Sequence, residues 1–238
     1  MKFRLEPEVR PVVTSALALS GAVGVFALAF GVLAVGAGAN VWQACALSFF
    51  TFTGASQMSA MTVIGTGGSV GGALGGALLL AGRNGVYGLA LSPYFNESLG
   101  KRLLAAHFVI DETTAMMTAQ TNPRLQKIAF WTTAIALFSL WNLGTLLGAV
   151  LGSAIDPHTF GLDVGFTAAY VAMLFPHLKT VNGRFAAAGG ALISVVLAPF
   201  VPIGLPILAA GLAIFVGLRP TDSSVTRSAT ASDNETVQ

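Results

Sequence analysis

No Asp, Glu, Lys or Arg occurs between Arg10 and Arg83, and an uncharged run of that length cannot clothe a water-facing surface. At about 20 residues per crossing it is long enough for three membrane passes. The whole chain follows suit: 9% of residues are charged and 54% hydrophobic, with a mean hydropathy of +0.76, where a soluble domain carries roughly a quarter charged residues. Net charge is +2 and the bases fall in pairs between apolar runs, which is no nucleic-acid surface. Cys45 is the single cysteine, so an internal disulfide and a cysteine-built metal site are excluded. His107, His158 and His177 are not spaced as metal ligands, and no cofactor is expected.

Apolar segments fall at about 12–36, 41–64, 70–92, 103–120, 128–152, 164–178, 185–200 and 203–218, parted by Gly, Pro, Asn or charged breaks. The runs are continuous rather than alternating, which predicts helices and not a membrane sheet. The expected fold is an all-α polytopic transmembrane helical bundle of six to eight spans, with discontinuous or re-entrant helices among the shorter segments. Residues 1–11 form an N-terminal cytoplasmic segment and 12–218 the membrane domain. The polar stretch 219–238 has almost nothing to bury and reads as a disordered cytoplasmic tail.

Lys2, Arg4 and Arg10, then Arg124 and Lys127, then Lys179 and Arg184, then Arg219 and Arg227 share one side if every segment crosses. Lys101 and Arg102 violate that eight-pass pattern, the count otherwise preferred. Making 103–120 re-entrant, together with one of the first three segments, restores it with six passes. An internal echo also links the run from Leu33 with the run from Ala149, as expected of a transporter repeat.

Glycine is abundant at 28 residues. Gly144, Gly148 and Gly152 recur every fourth residue and predict a helix-packing face. The cluster from Gly67 to Gly76 is dense enough to pack or to unwind the third segment. Polar groups inside apolar runs carry more information, because each costs a few kcal/mol at the bilayer centre unless it faces a cavity or partner. In FFTFTGASQMSAM, the sequence Gly54-Ala55-Ser56-Gln57 either breaks its helix, freeing backbone N–H groups for a carboxylate, or stays helical with its hydroxyls bonded back to the chain. Arg83, too deep for easy escape, calls for an anionic partner; Tyr87 either shares its cavity or anchors an interface. In LLAAHFVIDETTAMMTAQ, helical spacing places His107, Asp111, Thr114 and Thr118 on one stripe, with Glu112 about 100° round. One carboxylate neutralises Arg83 while the other titrates, or else Asp111 merely caps a helix. Trp141, Asn142 and Thr145 form a weaker polar group.

FTGASQMSAM (Phe52 to Met61), RNGVYGLALSP (Arg83 to Pro93), DETTAMMTAQ (Asp111 to Gln120), WNLGTLLGAVLG (Trp141 to Gly152) and LDVGFTAAYVAML (Leu162 to Leu174) resemble, in order and spacing, the AzlC family of branched-chain amino acid permease large subunits. The resemblance runs from about Val12 to Leu218. It implies export of leucine, isoleucine, valine and in some cases methionine across the bacterial inner membrane, with a small hydrophobic partner of the AzlD type. It carries over Gly54, Ala55, Ser56, Gln57, Arg83, Tyr87, Asp111 and Glu112 as functional positions, without assigning their individual roles. From the residues themselves, Gly54, Ala55, Ser56, Gln57, Arg83 and Tyr87 are the expected substrate-binding positions, and Asp111, Glu112 and His107 the expected proton-coupling ones. Many members read Asn-Leu-Arg-His-x-x-Tyr-Gly where this chain has Ala81, Gly82, Arg83 and Asn84. The histidine is absent here, which leaves proton transfer to Asp111 or Glu112. The alternatives are an intramembrane enzyme, for which no nucleophile elbow, zinc motif or phosphate loop is present, and a passive channel.

Overall fold

A computed structural model describes residues 6–154, 171, 174–175, 177–201 and 205–213. The expected tail at 219–238, most of the 164–178 segment and the part of the internal echo beyond Ala154 lie outside the described residues. Among the described residues the chain is helical, with no strand. Helices α1 (Val9–Gly36) and α7 (Pro123–Ala154), of 28 and 32 residues, are long and apolar enough to cross a bilayer. Helix α4 (Val70–Leu91) has 22 residues, about 33 Å at 1.5 Å per residue, against a hydrocarbon core of about 30 Å. Later come α8 (Val181–Leu197) and the short α9 (Leu205–Ala210).

Between the crossing helices the chain does something the hydropathy pattern does not specify: it enters and turns back. The 41–64 run is two helices, α2 (Val41–Thr51) and α3 (Ala55–Gly65), 11 residues each. At about 16 Å apiece, each reaches half the core. α2 is capped by Asn40 just past the end of α1, and a Cβ on Gly65 at the end of α3 would lie 3.3 Å from Ala37 Cβ. Both ends of this pair are therefore at the α1 C-terminal side. Gly67, with φ at 81°, closes α3 there, its N–H donating to Ile64 O and that of Gly68 to Val63 O.

The 103–120 run behaves likewise from the opposite side, and this corrects its reading as one helix. It is α5 (Leu99–His107) and α6 (Asp111–Thr118), of 9 and 8 residues. At its entrance Glu97 pairs with Lys127 Nζ at 2.6 Å, and at its exit Gln126 Nε2 donates to Gln120 O at 2.8 Å. Both ends thus sit beside the start of α7. Lys101 and Arg102 join Arg124 and Lys127 there, which removes the charge-pattern violation. The tips of the two hairpins meet at mid-depth: Phe52 packs on Phe108 and on Phe138, with ring centroids 6.1 and 5.0 Å apart, and Phe138 stands midway along α7.

α1 and α7 run parallel as the central pair. Their N-terminal ends are tied by a bidentate Arg124–Glu6 bridge at 2.8 and 3.0 Å. The glycine stripe lets them touch backbone to backbone. A Cβ on Gly144 would meet Ala27 Cβ at 2.7 Å and one on Gly152 would meet Val32 Cα at 3.0 Å, while one on Gly148 would strike the Leu28 carbonyl. The glycine cluster of the third segment does not unwind it. Gly71, Gly72, Gly75 and Gly76 lie within α4, whose first turn is capped by Ser69 Oγ accepting from Gly72 N at 3.1 Å. The outward faces carry rows of bare aliphatics, among them Leu74, Leu78, Leu79 and Leu89 on α4 and Leu143, Leu147 and Leu151 on α7. Water would not tolerate so large an apolar surface; hydrocarbon does.

Candidate functional site

Each hairpin tip is held by the third residue of its second half-helix reaching back across the break. Gly54 adopts φ 62° and ψ −94°, a conformation denied to residues with a Cβ. Gln57 then spans the gap, its Nε2 donating to Leu47 O at 2.8 Å and its Oε1 accepting from Gly54 N at 3.1 Å. The Gly54 N–H at the turn is thereby satisfied, as hydrocarbon depth demands, and Leu47 O, which already accepts from Thr51 Oγ1 at 2.5 Å, gains a second donor. In the other hairpin Thr113 Oγ1 donates to Phe108 O at 2.7 Å and accepts from Ile110 N at 3.1 Å. Ser56 and Gln57 are buried, at 5% and 3% exposure. Ser56 Oγ touches Thr53 Oγ1, so both side chains serve the turn rather than open space.

The two tips, α4 and the α1–α7 pair enclose a cavity of about 530 Å³, within the range of small-molecule sites. Thr53, Gly54 and Ala55 come from one tip; Ile110, Asp111, Glu112 and Ala115 come from the other. Arg83 and Tyr87, one turn apart on α4, supply a second polar wall, while Val23, Phe26, Phe52, Leu137 and Trp141 make the rest apolar. Arg83 Nη1 lies 2.7 Å from Asp111 Oδ2, both side chains being a little over one-third exposed. Tyr87 stands within electrostatic reach of the same carboxylate.

The electrostatics of this cavity follow from the breaks. α3 and α6 both begin on its wall, so two helix N-termini, each worth roughly half a positive charge, abut it. Gly54 has no side chain to cap the first of these. Asp111 and Glu112 occupy the first turn of the second, where carboxylates are favoured.

Six of the expected site residues thus come together: Gly54, Ala55, Arg83, Tyr87, Asp111 and Glu112 all line one space. Of the rest, Ser56 and Gln57 stand behind the wall. His107 does not join them: the break at Phe108–Ile110 ends the helical register that aligned it with Asp111, and its ring lies among Phe52, Phe108 and Phe138. Thr118, also expected on that stripe, donates to Thr114 O at 2.8 Å within α6. Trp141, part of the weaker polar group in the sequence, lines the cavity at 4% exposure, stacked on Phe30. Its position one turn beyond Leu137 and before Gly144 was the available signal. Asn142 turns away and donates to Phe138 O in its own helix, and Thr145 bonds Ser48 of α2 at 3.1 Å.

Crossing helices that wrap two half-spanning hairpins around a charge-bearing cavity define a helical membrane protein of transporter-like architecture. The chain belongs to the AzlC family: the family model described as AzlC protein matches residues 18–155, more than half of the chain and every residue on the cavity wall. It is similar to two "Uncharacterized membrane protein" sequences of Helicobacter pylori. One, from strain 26695, is 26% identical over 71% of this chain and 75% of its own length. The other, from strain J99, is 27% identical over 73% and 77% respectively. No solved structure matches the chain.

Proposed function

We propose that the chain is the large subunit of a secondary active exporter of branched-chain amino acids in the bacterial inner membrane, with its basic end in the cytoplasm. The single observation that carries this reading is the Arg83–Asp111 pair on the wall of a largely apolar cavity at mid-depth, flanked by two half-helix N-termini. The substrate carboxylate is received at Arg83 and at the Gly54–Ala55 end of α3, and the aliphatic side chain lies against Phe26, Phe52, Leu137 and Trp141. An apolar wall separates neighbours differing by a methylene by only about 1–3 kcal/mol, so Leu, Ile, Val and Met overlap as substrates.

Asp111 is engaged by Arg83, which leaves Glu112 as the carboxyl that takes up and releases the coupling proton. A small AzlD-type subunit completes the transporter. The test is counterflow and uphill movement of radiolabelled leucine in liposomes under an imposed pH gradient, with and without that subunit. Coupled export concentrates leucine against its gradient, and Glu112→Gln abolishes the concentration while retaining exchange. A channel dissipates the leucine gradient whatever the pH. Gradient-driven flux that survives both Asp111→Asn and Glu112→Gln removes the coupling assignment.

A further inference from the structure

The Arg83–Asp111 bridge leaves half of each partner idle. It uses Nη1 and Oδ2 at 2.7 Å, while Arg83 Nε and Asp111 Oδ1 are buried without a hydrogen-bond partner. An arginine–carboxylate pair kept for stability alone gains most from closing bidentately, as Arg124 and Glu6 do at the protein's basic end. Both members of the one-armed pair also face the cavity. We propose that this bridge stands in for the substrate's own zwitterion: the α-carboxylate takes Arg83, the α-ammonium takes Asp111, and one internal bridge is exchanged for two to the ligand. Asp111 is then the residue that demands a free α-amino group. The inference rests on reading the cavity as the amino-acid site.

The exchange conserves charge. A zwitterion adds no net charge to an apolar-walled space and leaves neither partner stranded. A ligand carrying one charge breaks the bridge and satisfies only half of it. The α-keto acid of leucine pairs with Arg83 and orphans Asp111; isopentylamine pairs with Asp111 and orphans Arg83. All three ligands share leucine's branched aliphatic group, so the apolar wall does not tell them apart. Sites built to bond a polar group reject analogues lacking it by large factors, here at least about a hundredfold.

Calorimetric binding of the three ligands to the full-length protein in lipid nanodiscs decides the matter. Wild type is expected to bind leucine at least about a hundredfold more tightly than either analogue. Asp111→Asn should weaken leucine by about tenfold or more and make the keto acid the better ligand. Arg83→Gln should invert the order toward isopentylamine, and Asp111→Glu should keep the wild-type order. If Asp111→Asn does not run as a single species on size exclusion, the Arg83→Gln inversion carries the test. Equal binding of leucine and keto acid by wild type, or a uniform loss of all three ligands in the variants, overturns the zwitterion exchange and leaves the amino-acid site standing. Failure of wild type to bind any of Leu, Ile, Val and Met overturns both.

Discussion

Replacing Gly148 with alanine tests the central helix pair directly. The added Cβ would lie 2.8 Å from the Leu28 carbonyl carbon and 2.9 Å from Leu28 Cα, and closer still to the carbonyl oxygen. Non-bonded carbons rest at roughly 3.5–4.0 Å, so α1 must retreat by about half an ångström or more. The obstacle is backbone, which has no alternative rotamer. The neighbouring turn offers no slack, because a Cβ on Gly144 would already sit 2.7 Å from Ala27 Cβ and Gly31 faces the backbone of Thr145 and Ala149. Overpacking costs about 1–3 kcal/mol, and a backbone clash belongs at the upper end. Gly82 on α4 is the control: its Cβ would meet nothing within 4 Å, and alanine there gains up to about 1 kcal/mol of helix propensity. The assay is the apparent melting temperature of detergent-solubilised protein by fluorescence-detected size exclusion. Gly148→Ala should melt well below wild type and Gly82→Ala at or above it. If Gly148→Ala melts with wild type, close packing of α1 on α7 is not what the stripe provides.

Gln57→Leu keeps bulk but strips both bonds across the first tip; Leu47 O keeps its bond from Thr51 Oγ1, but leaving Gly54 N unpaired should cost about 1–3 kcal/mol, read as a lowered melting temperature with loss of leucine counterflow. Thr113→Val removes the corresponding tie between Phe108 and Ile110 and should produce the same two losses, whereas Thr113→Ser retains the hydroxyl and should restore both. At the basic end, the Arg124 guanidinium beside Glu6 holds that carboxyl below its ordinary value of 4.5. Its stabilisation is therefore full above that value and fades as pH falls through the lowered folded value. The small stability advantage of wild type over Glu6→Gln should disappear in acid, and also at about 1 M salt, where the screening length is about 3 Å; an advantage that survived both would assign Glu6 a role other than charge.

The membrane class, the helical fold and most of the crossing segments were legible because hydropathy over about 20 residues reports directly on solvent. Chain reversal was not, since a window average carries no direction: 11 plus 11 residues turning back at Phe52–Gly54 have the same mean as one crossing. Two local signals did bear on it. The Gly-Ala-Ser-Gln run offered a break as one of two readings, and Lys101 with Arg102 fell on the opposite side from Arg124 and Lys127 in any arrangement in which 103–120 crossed. That Arg83 would meet an anion was foreseeable from cost alone, although the sequence left open whether Asp111, Glu112 or a ligand carboxylate supplies it. The division of labour among the polar residues was not. Gln57 at the third position of a half-helix can face a cavity or tie its own turn, and only the position of Leu47 O decides. His107 misled through an assumption of continuous helix, which three residues of irregular backbone cancel.

Meeting two half-helix N-termini at one cavity sets a charge problem that the polar residues answer. The two ends supply about one positive charge together, and Arg83 another. Asp111 and Glu112 balance these when both are ionised, so the cavity is near neutral and a zwitterion enters without net electrostatic cost. Protonating Glu112 leaves the space about one charge positive and strengthens its hold on a carboxylate; releasing that proton weakens it. A hairpin pair without the carboxylates would hold anions permanently, and carboxylates without the half-helix ends would hold cations. The proposed export by proton exchange needs the balance to be shifted by a single proton, and Glu112 is proposed to carry that proton because it lies on the cavity wall beside an acid already paired.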